Sequence, residues 1–553
     1  MRDKLYKFHF AFMLIALFAG ADSASSAKTT EDRSTKLHET ARKGSLVRAR
    51  SRPFVDRFIP AAEFSPQTPS RDEVLAAMKK ATQFMVEKVA YRGGYVWAVS
   101  EDFSRRYGEV PARATQVWVQ SGTPEVGMTL LDAYDLTRDP VYLDGARKAA
   151  DALIYGQHPL GGWNYVIDFD PSGLKTWYEK EASRFKWGME EYRHYYGNAT
   201  FDDGNTSSAT RFLLRLYLTT PDPRYRRPLL KALNFIVLAQ YPNGAWPQRY
   251  PLSHEFTHDG FPDYTSYYTL NDGSAVSNIE VLVEASEKLG DKRYLKAARR
   301  AVEFLIAIQG PRDQAAWAEQ YDPKTMRPVK ARTHEPAGFV IRESEQVIEL
   351  LEKFYLMTAE RRYLKPIPGC LDWFDRVNRE AVELKRPPAR YYEFVTNLPI
   401  YNLRTDKTNA AGYGLYRWSN TDSQGDGEGL YRFGGGQSET RPVVDVLPIR
   451  KRYEWIAGLS PEQARVEYQK RSGGGERPEQ PNRRQFGNTS VADVIAAMDH
   501  RGAWVRDDVR VLKVSPNSQG INPGTFETIR GYSTGTFVRN LRRLIDSAKV
   551  QHD

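Results

Sequence analysis

The chain has 553 residues, 41% hydrophobic and 12% aromatic, with a formal net charge of +10. That composition supplies a real core, and the single cysteine, Cys370, excludes an intramolecular disulfide. The positive balance favours an acidic partner, whether nucleic acid, an anionic membrane or an anionic polysaccharide.

The first segment, "MRDKLYKFHFAFMLIALFAGADSASSA", has a basic start (Arg2, Lys4, Lys7), an apolar run to about Ala21 and small residues after it. This is the shape of a secretory signal over residues 1–27, with a single-pass anchor as the alternative. The mature protein is then expected to be secreted or periplasmic, monomeric, and free of membrane and nucleic-acid partners. Residues 28–66 are polar and charged without periodicity and read as a disordered polar linker.

From about residue 70 to 380 the chain repeats itself, within an expected toroid domain over residues 67–425. Tyr142, Tyr225, Tyr294 and Tyr363 sit in turns between helical patterns, at spacings of 83, 69 and 69 residues. Segments bearing Gly or Trp follow three of the second helices: "HPLGGWNY", "YPNGAWPQRY" and "RDQAAWAEQY". Each pair of amphipathic helices has an apolar face it cannot bury alone. The expected fold is all-α, an (α/α) toroid or incomplete barrel of helical hairpins, with irregular loops around a central cleft. Residues 426–553 contain Gly- and charge-rich loops, and "TFVRNLRRLIDSAKV" near the end is again helical and suited to closing the ring.

Two helix starts are unusual. "TFDDGNTSS" and "TLNDGSAVS" place Asp203 and Asp272 before apolar-periodic runs, 69 residues apart. Asp is a good helix cap, so capping is one reading. The other is that repeat-equivalent helix starts point their carboxylates into one cleft. Trp246, Gln248 and Tyr250 are candidates for the cleft wall. His254, His258 and His334 match no standard zinc spacing.

"ATFDDGNTSS", "QYPNGAWPQRYP", "YTLNDGSAVSNIEVL" and "EQYDPKTMRPVKARTHEP" occur in that order. Together they resemble polysaccharide lyase family 10, the (α/α)-barrel pectate lyases, over about residues 70–420. The resemblance implies a Ca2+-assisted β-elimination on polygalacturonate, an anionic polysaccharide. It implies Asp202 and Asp272 as metal ligands, with Asp203 added as the repeat-equivalent of Asp272. It also implies Arg332 as the base at C5, and Lys330, Arg404 and Arg417 as contacts to substrate carboxylates. The chemistry is coherent: elimination needs a base, a cation to neutralise the uronate, and hard oxygen ligands for that cation. Around Arg404 the chain reads "YNLRTDKTNAAGYGLYRW" where the family has a "GRDG" segment. Two alternatives remain: an inverting glycoside hydrolase using Asp203 and Asp272, and a non-catalytic glycan-binding protein.

Overall fold

The computed structural model describes residues 68–182, 195–253, 263–332, 335–383, 389–408, 414–419, 444–473, 489–513 and 526–550. The signal segment, most of the linker, the three histidines and the side chains of Arg404 and Arg417 lie outside the described residues.

The helices form hairpins in sequence order. After Arg71–Phe84 (α1) come Thr123–Thr137 (α2) with Pro140–Tyr155 (α3), and Asn205–Thr219 (α4) with Pro223–Leu238 (α5). Then follow Ser274–Leu289 (α6) with Lys292–Ala307 (α7), and Ile341–Thr358 (α8) with Ile367–Glu383 (α9). Val446–Ala457 (α10), Pro461–Gly473 (α11) and Thr534–Val550 (α12) are the remaining long helices among the described residues, and a short helix spans Val491–Ala496. Along one layer α12 packs on α2, α2 on α4, α4 on α6, α6 on α8 and α8 on α11. In the other layer α1 contacts α3, α5 contacts α7 and α9 contacts α10. This is the helical toroid read from the repeat, with the second helix of each hairpin outside. Among the described residues, no helix is long and apolar enough to cross a membrane.

The turn signals have a direct physical role. Asp139, Asp222 and Asp291 each cap an outer helix, accepting from the N–H of Val141, Arg224 and Arg293 at 3.0, 2.8 and 3.0 Å. Three residues on, Tyr142, Tyr225 and Tyr294 are buried between layers, and Tyr363 does the same before α9. Burying each ring is worth about 2–3 kcal/mol.

The Trp loops are plugs. The indole N–H groups of Trp163, Trp246 and Trp317 donate to the carbonyls of Leu153, Ile236 and Leu305, at 2.7, 2.8 and 2.8 Å. Each therefore ties its loop back to the end of the preceding outer helix. Gly93, Gly161 and Gly244 hold φ of +84, +125 and +105°, and a Cβ on any of them would collide with a carbonyl of the next outer helix, at Lys148, Lys231 or Arg300. A further copy lies near the C-terminus. In "HRGAW", Trp504 donates to Val494 at 2.8 Å and Gly502 lies against the Lys80 carbonyl of α1. The last repeat thus docks on the first helix.

Strands were not expected in quantity, and their presence qualifies the all-α description. One five-stranded antiparallel sheet joins the two ends of the chain in the order Arg506–Leu512, Phe526–Ser533, Ala98–Ser100, Arg106–Tyr107, Pro111–Ala112. A second runs Gly414–Ser419, Pro399–Thr408, Tyr391–Glu393, Gly338–Val340, Trp317–Ala318. Most of these strands are short and several are buried on both faces, so period-2 alternation never develops. Three two-stranded ladders pair Gln116–Trp118 with Val166–Asp168, Ala199–Thr200 with Arg249–Tyr250, and Tyr268–Thr269 with Gln320–Tyr321. Each places a strand just before an inner helix, and this fixes the position of what comes next.

Candidate active site

Each of these three strands leads into an elbow. Ser121, Asp203 and Asp272 occupy the left-handed region with φ of 52, 53 and 52°, one per repeat, and a glycine follows each. The helix starts behind the two aspartates are Gly204 and Gly273, and neither start has a side-chain cap hydrogen bond. Capping is therefore not the role of Asp203 or Asp272; the outer-helix aspartates do that work. An L-residue in this region costs about 1–2 kcal/mol, and such outliers concentrate at functional positions. The elbows at Asp202–Gly204 and Asn271–Gly273 pack against each other.

Arg332 enters this junction from the segment before α8, and its side chain is only 11% exposed. Its Nη2 lies 2.7 Å from Asp272 Oδ2 and 2.5 Å from Glu335 Oε1, and its Nη1 is 3.8 Å from Asp202 Oδ2. The Arg332 main-chain N–H donates to Glu335 Oε2 at 3.0 Å, so one glutamate holds both the backbone and the fork. Asn271 Nδ2 donates to Glu335 Oε1 at 2.9 Å and to Asp272 Oδ2 at 3.0 Å, which ties the elbow to the same pair. The Tyr165 hydroxyl donates to Asp202 Oδ2 at 2.5 Å. Behind Tyr165, buried Arg249 lies between the rings of Tyr165 and Tyr196, at 5.1 and 4.5 Å from their centroids.

A second layer supports the first. The Glu319 carbonyl accepts from the N–H groups of Leu270 and Asn271 at 2.7 and 3.3 Å. The Glu319 carboxylate pairs with Arg390 and accepts from the Tyr391 hydroxyl at 3.1 and 3.2 Å. Burial, with repulsion from Glu343, Glu335 and Asp272, pushes Glu319 up to about 8 against the pull of Arg390.

The charges are unbalanced at Asp203. Enclosure in the cleft, then Asp202, Asp272 and Glu109, push its carboxyl up to about 9, and Arg332 opposes. The Asp203 side chain is exposed to solvent, so water screens part of this crowding. Asp272 goes the other way: burial raises it, but the charge and hydrogen bond of Arg332, with Arg390 and Arg342, bring it below the usual range. Between the ordinary carboxylate range and about 9 the native state holds a proton on Asp203 that the unfolded chain lacks, so stability falls as pH rises across that window. Asp203→Asn is therefore expected to raise the melting temperature at pH 8 in metal-free buffer and to leave it nearly unchanged at pH 4, by calorimetry. An equal shift at both pH values would show that the carboxylate is not crowded.

Ca2+ takes six to eight oxygen ligands and accepts substrate oxygens and water among them. The hard carboxylates of Asp202, Asp203 and Asp272, in excess over the one guanidinium facing Asp203, suit such an ion electrostatically. Among the described residues no three acidic, His or Cys side chains converge at full metal-ligand geometry. A cation here would need substrate or water oxygens to complete its shell.

The structure thus brings Asp202, Asp203, Asp272 and Arg332 together, with half-buried Lys330 on the same segment. It corrects Trp246 and Gln248, which are each 1% exposed. Trp246 is a core plug. Gln248 acts through its carbonyl, which accepts from the Phe201 N–H at 2.8 Å and pins the Asp202 elbow. Tyr250 meets Phe235 of α5 edge-on at 5.8 Å and is only half-buried, so it too is partly committed to packing. The backbones of Arg404 and Arg417 lie on adjacent strands, with Arg404 opposite Tyr416 and Arg417 opposite Leu403. Sequence reasoning missed Glu335, Asn271, Tyr165, Arg249 and the Glu319–Arg390 pair. Two of these had a signal: Asn271 abuts Asp272, and Glu335 follows Arg332 by three residues.

Residues 172–409, which include both aspartate elbows, Arg332 and Glu335, match the family model described as pectic acid lyase. A search of curated proteins returns no match. Among solved structures, the chain is similar to a family 10 polysaccharide lyase from Cellvibrio cellulosa, at 20% identity over 49% of this chain and 84% of that one, TM-score 0.35. A variant from the same organism in complex with trigalacturonic acid matches at 20% identity over 49% and 85%, TM-score 0.34. A GH76 alpha-mannanase from Bacteroides thetaiotaomicron matches at 10% identity over 88% and 98%, TM-score 0.40.

Proposed function

We propose that this chain is a polysaccharide lyase that acts outside the cytoplasm on polygalacturonate and cleaves it by β-elimination. The observation that carries the reading is Arg332, held by Glu335 and Asp272 at the meeting point of two carboxylate-bearing elbows. A uronate has an acidic C5–H beside its carboxylate and a glycosidic oxygen leaving from C4. In this reading Arg332 takes the C5 proton, and its bonds to Glu335, which Asn271 also holds, support that role by fixing the direction of its fork. Asp202, Asp203 and Asp272 would hold the cation. Lys330, Arg404 and Arg417 would meet carboxylates along the chain. Calcium, when bound, would neutralise a uronate carboxylate and draw off negative charge that the three aspartates otherwise direct at Arg332.

The test is to incubate the purified protein with polygalacturonate and Ca2+ and follow both ultraviolet absorbance and reducing ends. An unsaturated product rising in step with chain breaks is expected. Chain breaks without unsaturation would replace the reading with hydrolysis, and no chain breaks on polygalacturonate would reject this substrate.

A further inference from the structure

A second surface carries sugar-recognition chemistry that the cleft does not use. The turn after the first helical segment closes through reciprocal hydrogen bonds between Tyr91 and Gly94, at 2.9 and 3.0 Å, and presents Arg92 to solvent. The Arg92 guanidinium lies 5.4 Å from the centroid of the Phe169 ring. Phe169 stacks on Tyr155 at 4.5 Å with an interplanar angle of 19°, and meets Tyr91 edge-on at 5.7 Å. Tyr155 is 50% exposed, at the end of α3. The Arg106 guanidinium lies 5.9 Å from the Tyr91 ring centroid; its Nη1 donates to the Val89 carbonyl at 3.5 Å, and its Nε and Nη2 are buried without a hydrogen-bond partner.

The charge at this row is open. Neither Arg92 nor Arg106 pairs with a carboxylate among the described residues. The acids beside Phe169 do not supply one, because Asp168 and Asp170 both bind Arg113, at 2.9 and 2.5 Å. Arg92 is exposed, and a carboxylate is the best-matched partner of a guanidinium. Flat, partly exposed rings beside it offer apolar faces against which a sugar can lie.

We infer that Arg92, Tyr91, Phe169 and Tyr155 form a binding surface for carboxylate-bearing sugars of an anionic polysaccharide, with Arg106 adding positive charge beside Tyr91. Its residues lie outside the matched segment 172–409 and include none of the elbow residues or Arg332. The identity of the sugar rests on the polyuronide reading; the existence of the surface does not.

The experiment is affinity electrophoresis in gels containing polygalacturonate, a neutral polysaccharide or polyglutamate. The protein carries Arg332→Ala to prevent cleavage, and is compared with the same protein also carrying Arg92→Ala and Tyr155→Ala. Both added positions are on the surface, and circular dichroism checks the fold. The expected result is retardation by polygalacturonate that weakens about tenfold in the triple variant, with little retardation by the neutral polymer or by polyglutamate. Equal retardation of the two proteins would overturn the proposal. So would equal retention by the neutral polymer, which needs no charge, or by polyglutamate, which needs no sugar. A protein that makes no unsaturated product from polygalacturonate but shows the tenfold difference would reject the lyase substrate and keep the surface.

Discussion

Arg332→Lys should lower kcat on polygalacturonate about a thousandfold, with KM changed by less than about threefold. One nitrogen of the arginine, Nη2, serves both Asp272 and Glu335, while Nη1 faces Asp202. Lysine has one nitrogen on a flexible stem and cannot satisfy these directions while presenting a second nitrogen to substrate. Steady-state kinetics followed by product absorbance decide the matter. If kcat survives and KM rises, Arg332 clamps a carboxylate and another group takes the proton. The rate should also climb into the alkaline range, because only a deprotonated guanidine nitrogen can accept the proton. A rate that is flat above neutrality would remove Arg332 as the base.

Replacing Asp272 by Asn should cost about two to three orders of magnitude in turnover and raise the Ca2+ needed for half-activity about tenfold. Asn is the informative change because it tolerates φ of 52°, whereas Ala would add backbone strain to the chemical loss. Stability should respond differently. Asp272 has a lowered native value, so its contribution is present above the ordinary carboxylate range and fades as pH falls through the native one. The variant should therefore melt below wild type at pH 7 and approach it in acid. In wild type, excess chelator should abolish turnover and added Ca2+ restore it. Full activity in chelator would take the metal out of the mechanism.

The elbows were legible because a 69-residue period made their equivalence visible, and because Asp-Gly before an apolar run is conspicuous. The capping alternative could not be dismissed from sequence, since Asp139 and Asp203 look alike there. Only backbone angles separate them: Asp139 at φ of −71° caps, and Asp203 at 53° does not. Trp246 misled because a tryptophan in a polar loop reads the same whether it faces a sugar or a helix carbonyl. The Glu319–Arg390 pair, 71 residues apart and belonging to no periodic pattern, had no sequence signal. "HRGAW" at 500–504 did have one, echoing "PNGAW" at 242–246 closely enough to mark the last repeat.

The way the last repeat grips the first helix sets an order on assembly. Hairpins such as α2–α3 and α6–α7 are local in sequence and can form as soon as their residues are present. The seal is not local: Arg71 Nε donates to the Ala548 carbonyl across 477 positions, and the Thr534 hydroxyl to the Val96 carbonyl across 438. Contacts of that span close the longest loops among these hydrogen bonds, so the local hairpins are expected to form before them. Until then the protein is an open arc whose α1 and α2 present to water the apolar faces that α12 later covers. Exposure to proteases and to self-association is expected to be greatest in that interval, before α12 meets α1 and α2.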